Sequence, residues 1–226
     1  MRKLIVQSQI TLDGIMQAPG GPEEDPTGGF KYGGWSAGYY DDFLGGVMSE
    51  QMAKPFDLLL GRKTYEIFAA YWPYVKSDDP DYQIQIAGKF NSAKKHVAST
   101  TLEKLDWDNS TLIKGNVVQE IQKLKRQNGP ELQVYGSSNL IQTLLKHDLI
   151  DEFRLAIYPI TLGMGKRLFG EGTIPAGLKL IASKTSPTGV IVATYERAGK
   201  VKTGSFVSET PTEAELARRK RLKEEK

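Results

Sequence analysis

The stretch Leu58-Leu59-Leu60-Gly61-Arg62-Lys63-Thr64-Tyr65 reads as an apolar strand that meets a glycine, two cations and a hydroxyl, then opens a helix. Glycine lets another group approach the backbone closely, and the first N–H groups of the helix point beyond its end without intrahelical partners. Such a turn suits an anionic ligand, and Gly61, Arg62, Lys63 and Thr64 are the residues that would hold it. A second turn of the same kind follows at Leu132-Gln133-Val134-Tyr135-Gly136-Ser137-Ser138-Asn139-Leu140. Two such turns in one chain point to a ligand with several phosphates.

Carboxylates for proton chemistry are fewer. Asp13, Asp41 and Asp42 are the candidates. Asp13 beside Gly14 is equally suited to a turn, and the aspartate pair to a helix start. Trp35, Tyr39, Tyr71 and Trp72 offer faces on which a flat heteroaromatic ring can stack, or they pack in the core and its rim. With His96 and His147 as the only histidines and no cysteine, no Ser/His/Asp arrangement or metal-ligand spacing is legible. No metal is expected. Neither a Walker motif nor a GxGxxG after a strand occurs.

The elements that must position these groups alternate. Leu4 to Ile10 is a strand, and Thr11-Leu12-Asp13-Gly14 is a turn. Residues 18–34, rich in Gly, Pro and acid, form a long loop expected to be mobile and suited to a lid. A helix is predicted over Tyr40 to Met52, a buried strand over Phe56 to Leu60 and a helix over Lys63 to Tyr71. Then come short strands at His96 to Ala98 and Thr111 to Ile113, a helix at Val117 to Arg126, a strand at Leu132 to Tyr135 and a helix at Ser137 to Lys146. Strands separated by helices imply right-handed crossovers and a mostly parallel sheet. Beyond Asp151, strands at Phe153 to Ile160, Leu178 to Thr185 and Val190 to Glu196 lack intervening helices. The turn Pro187-Thr188-Gly189 makes the last two an antiparallel edge hairpin.

The 226 residues are expected to divide into a domain over 1–197 and a charged tail over 198–226, flexible or helical. The net charge of +3 is modest, and Arg218-Arg219-Lys220-Arg221 concentrates basic character in the tail. No basic, aromatic-interleaved face suggests nucleic-acid binding, and no apolar run reaches the ~20 residues of a membrane span. The composition therefore points to a soluble cytoplasmic protein.

Taken together, these residues resemble a known family. Gly61 to Glu66 is similar to the phosphate-binding turn of dihydrofolate reductases, and Tyr135 to Leu140 to their second glycine turn. Leu149-Ile150-Asp151-Glu152-Phe153-Arg154-Leu155 and Pro159 to Phe169 resemble more closely the reductase domain of bacterial riboflavin biosynthesis and its bacterial relatives, whose S-L-D-G turn matches Thr11-Leu12-Asp13-Gly14. The resemblance runs over residues 2 to 197. It implies a dihydrofolate-reductase-like three-layer α/β/α fold, with a mostly parallel central sheet and an antiparallel C-terminal edge hairpin.

The resemblance also implies NADPH. Arg62, Lys63 and Thr64 would hold its adenosine-side phosphates, Gly136, Ser137, Ser138, Asn139 and Leu140 would pack against the pyrophosphate, and Ser99, Thr100 and Thr101 would lie at the ribose 2′-phosphate. Relatives often carry a basic residue where this chain has Thr100, so preference for NADPH rests mainly on Arg62, with Lys94 or Lys95 as further candidates. The expected activity is hydride transfer to a C=N or C=O bond of a pterin- or pyrimidine-like heterocycle. Trp35, Tyr39, Asp41, Tyr71 and Trp72 would form the substrate side, and Asp13 or Asp42 would hold the proton-donating water. Two other readings stand beside it: a homodimeric dinucleotide-binding protein without turnover, and a dimer built by the C-terminal strands with the phosphate turn empty.

Overall fold

A computed structural model describes residues 1–206 and 210–225. Val207, Ser208, Glu209 and Lys226 of the expected tail lie outside the described residues.

Eight strands form one sheet: β1 (Leu4–Thr11), β2 (Phe56–Gly61), β3 (Lys95–Ala98), β4 (Ser110–Ile113), β5 (Glu131–Tyr135), β6 (Glu152–Tyr158), β7 (Leu178–Thr185) and β8 (Ile191–Arg197). Their order is β4-β3-β2-β5-β1-β6-β8-β7. All pairings through β6 are parallel, and β8 runs antiparallel to both β6 and β7. This is the three-layer architecture with the edge hairpin that the sequence implies.

The helices are α1 (Asp42–Gln51), α2 (Arg62–Ala69), α3 (Asp81–Ser92), α4 (Val117–Arg126), α5 (Ser138–Lys146) and α6 (Glu213–Glu224). β2 is apolar over Leu58, Leu59 and Leu60 because both of its faces are covered, and its one charge, Asp57, is paired with Arg2. Leu59 joins Ile121, Ile141 and Leu144 of α4 and α5, while Leu58 and Leu60 join Ile86 and Phe90 of α3. Leu44 and Val47 of α1 pack on Tyr158, Val190 and Val192. α6 carries no buried residue, and Glu215 pairs there with Arg218 and Arg219.

Two features depart from the sequence reading. The stretch after Pro80 carries no element in the sequence reading, yet it forms α3, whose Tyr82, Ile86 and Phe90 recur at helical spacing. The loop over 18–34 is also well fastened. Phe30 and Ala18 are buried with Ile15, the Gln17 amide donates to the carbonyls of Asp25 and Thr27, and the Trp35 indole donates to that of Gln17. Gly33 serves close approach there, since a Cβ on it would lie 2.6 Å from the carbonyl oxygens of Gly21 and Pro22.

Candidate active site

β2 and β5 are sheet neighbours, and α2 and α5 begin where these strands end. In an open parallel sheet this carboxyl edge is where ligands collect. The two turns touch: the Gly61 amide donates to the Ser137 hydroxyl across 2.7 Å. A Cβ on Gly61 would come within 3.1 Å of the Ser137 side chain, so glycine permits the contact. Gly136 and Ser137 both adopt positive φ, 62° and 65°, which turns the chain sharply into α5. Side chains of Asp41, Asn116 and Thr212 cap α1, α4 and α6, whereas the starts of α2 and α5 have no side-chain cap. The N–H groups at both starts are thus open to an anion.

A cavity of about 1420 Å³ opens over this edge. Gly61, Arg62, Lys63, Thr64, Ser99, Thr100, Thr101, Gly136, Ser137, Ser138, Asn139 and Leu140 all line it. Arg62 pairs with Glu66 at 3.1 Å and Lys63 approaches Asp25 at 3.8 Å, both cations remaining about half exposed. Such surface pairs are worth at most about 1 kcal/mol and yield readily to a better anion. The Ser99 hydroxyl accepts from the amides of Thr101 and Leu102 and so shapes the turn after β3.

On the substrate side the structure sorts the expected residues. Tyr71 and Trp72 line the cavity. Trp35 and Tyr39 stand behind the wall, packing edge-on against Tyr158, which does line it, with ring centroids 5.1 and 5.8 Å away. Asp41 caps α1 by accepting from the Leu44 amide at 2.8 Å, and Asp42 occupies the first helical turn. Neither aspartate is among the lining residues.

Asp13 is also outside the lining. Its carboxylate accepts from the Thr11 hydroxyl at 2.5 Å and from the Gly163 and Leu162 amides at 2.8 and 3.2 Å, tying the first turn to the loop after β6. Burial pushes its pKa up, but these hydrogen bonds prevail and hold it below the ordinary value.

The cavity's carboxylates come instead from the long loop: Glu23, Glu24 and Asp25. Burial lifts the Glu24 pKa above its ordinary value despite hydrogen bonds from the Gly20 and Gly21 amides. Burial pushes Asp25 the same way, but hydrogen bonds from Lys166 and Thr27 leave it lowered.

Several lining residues were not read from the sequence: Gln7, Gln9, Gln51, Tyr82, Phe90 and Arg154. The signal for two of them was present. Gln7-Ser8-Gln9 interrupts the middle of an otherwise largely apolar strand. Arg154 sits between Glu131 at 3.0 Å and Glu152 at 2.6 Å; burial alone would lower its pKa, and the two carboxylates raise it.

Among the described residues no group of His, Cys, Asp and Glu is arranged to hold a metal, and no helix is long and apolar enough to cross a membrane.

Comparison with known proteins places this geometry in a lineage. The sequence profile of the RibD C-terminal domain matches residues 2–192. The uncharacterized protein YyaP of Bacillus subtilis (strain 168) is 32% identical over 202 residues, 88% of this chain and 96% of that protein. A crystal structure of a candidate riboflavin biosynthesis protein from Shewanella sp. PV-4 is similar at a TM-score of 0.58 and 24% identity, covering 87% of this chain and 99% of the other. Dihydrofolate reductase from Enterococcus faecalis, solved with NADP(H), is similar at 0.52 and 14%, covering 86% and 96%. At these identities the two structures speak for the fold.

Proposed function

Because the chain belongs to the RibD C-terminal domain family, we propose that it is an NADPH-dependent reductase acting on a C=N or C=O bond of a small heterocycle of the pterin or pyrimidine kind. The observation that carries this reading is the meeting of two uncapped helix starts at Gly61 and Ser137, beneath Arg62 and Lys63, in a cavity with room for a dinucleotide beside a second ligand. The Enterococcus reductase, of like fold, was solved with NADP(H).

The residues fit the group. The free N–H groups at the starts of α2 and α5 suit its phosphates, and Arg62, Lys63 and Thr64 add charge and a hydroxyl there. Ser99, Thr100 and Thr101 lie at the neighbouring strand end, where they would meet the ribose phosphate. When bound, NADPH supplies the hydride. The protein's share is to orient the acceptor and to exclude water. Tyr71, Trp72, Tyr82 and Phe90 provide aromatic walls, and the fastened loop over 18–34 covers one side.

The reading includes a two-fold homodimer. β7 is exposed along all eight residues, including Leu178, Leu180 and Ile181, and pairs among the described residues with β8 alone. A second copy can extend the sheet there.

Thermal unfolding with NADPH, NADP⁺ and NADH tests the cofactor. At a hundred times Kd, a specific ligand adds about 2.7 kcal/mol of stability. Stabilisation by the phosphorylated cofactors only, lost in Arg62→Ala, is expected. No shift with any of them overturns the reading.

A further inference from the structure

The sheet face beneath α1 is polar, and almost all of that polarity is internally matched. Strand alternation puts Gln7 and Gln9 on one face of β1, and the register sets them opposite Arg154 and Ala156 of β6. The Gln7 amide donates to Gln133 Oε1 at 2.9 Å, and the Tyr135 hydroxyl donates to the same oxygen at 2.7 Å. The Gln133 amide donates to Glu131, and Arg154 is held by Glu131 and Glu152.

Gln9 is different. It lines the cavity, and its Oε1 is buried without a hydrogen-bond partner among the described residues. Such oxygens are rare and call for a reason. β5 pairs with β1 only as far as Gln7 and Tyr135, and Ala156 offers Gln9 a methyl group. A donor carried by what the cavity binds would complete Gln9.

The same wall has no cation to spare. Arg154, 15% exposed, is neutralised by two carboxylates, and Lys166 donates to Asp25 at 2.5 Å and to the Thr27 hydroxyl at 2.9 Å. From α1 the cavity receives Leu44, Val47, Met48 and Gln51, none of them charged. Arg62 and Lys63 are the cations in exposed, exchangeable pairs, and they stand at the helix start assigned to the cofactor.

Resting on the reductase reading, we propose that Gln9 selects the substrate, which is an uncharged heteroaromatic lactam without a phosphate group, bound by its ring N–H and C=O to the Gln9 carboxamide. A carboxamide offers one acceptor and a donor side by side, the complement of a lactam edge. A phosphate on this floor would meet only Arg154, whose charge Glu131 and Glu152 already offset.

The test uses pteridine-2,4-dione, its 1,3-dimethyl derivative, uridine and uridine 5′-monophosphate as probes. Each is titrated calorimetrically into the full-length protein, the pteridine pair with and without NADP⁺. The nucleoside pair is compared with NADP⁺ saturating, so that Arg62 and Lys63 are engaged.

The dione should bind at least about tenfold tighter than its dimethyl derivative, because a site built to hydrogen-bond one edge rejects its blocked analogue. Gln9→Leu should erase that difference, leave NADP⁺ affinity unchanged and melt no lower than wild type. The phosphate should bring uridine no gain. Equal binding of the pteridine pair to wild type, no dione binding, selectivity retained in Gln9→Leu, or monophosphate binding tighter than uridine each overturns the proposal. Failure of NADP⁺ to bind while the dione remains selective would reject the reductase reading and leave the role of Gln9 standing.

Discussion

The Gly61 amide and the Ser137 hydroxyl, 76 positions apart in sequence, meet at 2.7 Å and join the two strand-to-helix turns into one surface. Ser137 holds a left-handed conformation to make this contact. Ser137→Ala strips the partly buried Gly61 N–H of its acceptor, at a cost of about 1–2 kcal/mol. A melting temperature lowered by several degrees and weaker NADP⁺ binding are expected from calorimetry. An unchanged melting temperature would show that the contact contributes nothing to the join.

Gly33 decides whether the long loop stays closed. A methyl group at this position meets two backbone oxygens at 2.6 Å, and backbone cannot step aside as a side chain can. Gly33→Ala should destabilise the protein by about 1–3 kcal/mol, as overpacking does. Limited proteolysis should then cut within residues 18–34 faster than in wild type. Equal cutting rates would mean the loop opens independently of this contact.

Lys95 is fully buried, and its ammonium donates to the carbonyls of Asn91, Ala93 and Asp108 at 3.0, 2.8 and 3.0 Å while lying 4.3 Å from the Trp107 ring centroid. Burial pushes its pKa down to about 8, so it remains mainly cationic at neutral pH. The three carbonyls bind the end of α3 and the loop before β4 to β3. Lys95→Met keeps much of the volume and removes every donor, which should cost about 3 kcal/mol. A loss below 1 kcal/mol in urea unfolding would contradict this account.

Asp13 and Glu24 should tilt acid stability in opposite directions. The lowered pKa of Asp13 gives stability that is present above its unfolded pKa and lost as pH falls through the folded value. Wild type should therefore lose its advantage over Asp13→Asn on acidification. The raised pKa of Glu24 gives stability present below its unfolded pKa and lost as pH rises through the folded one. Relative to Glu24→Gln, wild type should weaken as pH rises through the carboxyl range. Melting curves of the three proteins across that range check both signs.

The proposed dimer would form through β7, whose Leu180 and Ile181 are 50% and 47% exposed. Edge pairing is sensitive to charge. Sedimentation should find a dimer for wild type and a monomer for the double substitution Leu180→Lys and Ile181→Lys. A wild-type monomer at micromolar concentration, or an unaffected dimer, places the interface elsewhere or removes it.

Periodicity and turn chemistry act locally, so much of the architecture was readable in the chain. The apolar run Leu58-Leu59-Leu60 had to be buried on both faces, Val117–Arg126 had to be a helix between Asn116 and Asn128-Gly129, and Gly61 and Gly136 marked helix starts suited to an anion. Asp13, Asp41 and Asp42 lie outside the cavity lining, and a carboxylate that binds backbone amides and one that faces a ligand look alike in sequence. Long-range contact separates them, here the Gly163 and Leu162 amides some 150 positions from Asp13. α3 brings Tyr82 and Phe90 to the cavity through its packing on the sheet. Whether Gln9 is matched or bare depends on where β5 stops and on Ala156 beside it, which are facts of register between strands more than a hundred residues apart. Local rules read from the chain could mark two helix starts suited to an anion, and only the packing of the sheet could reveal which side chains line the rest of the cleft.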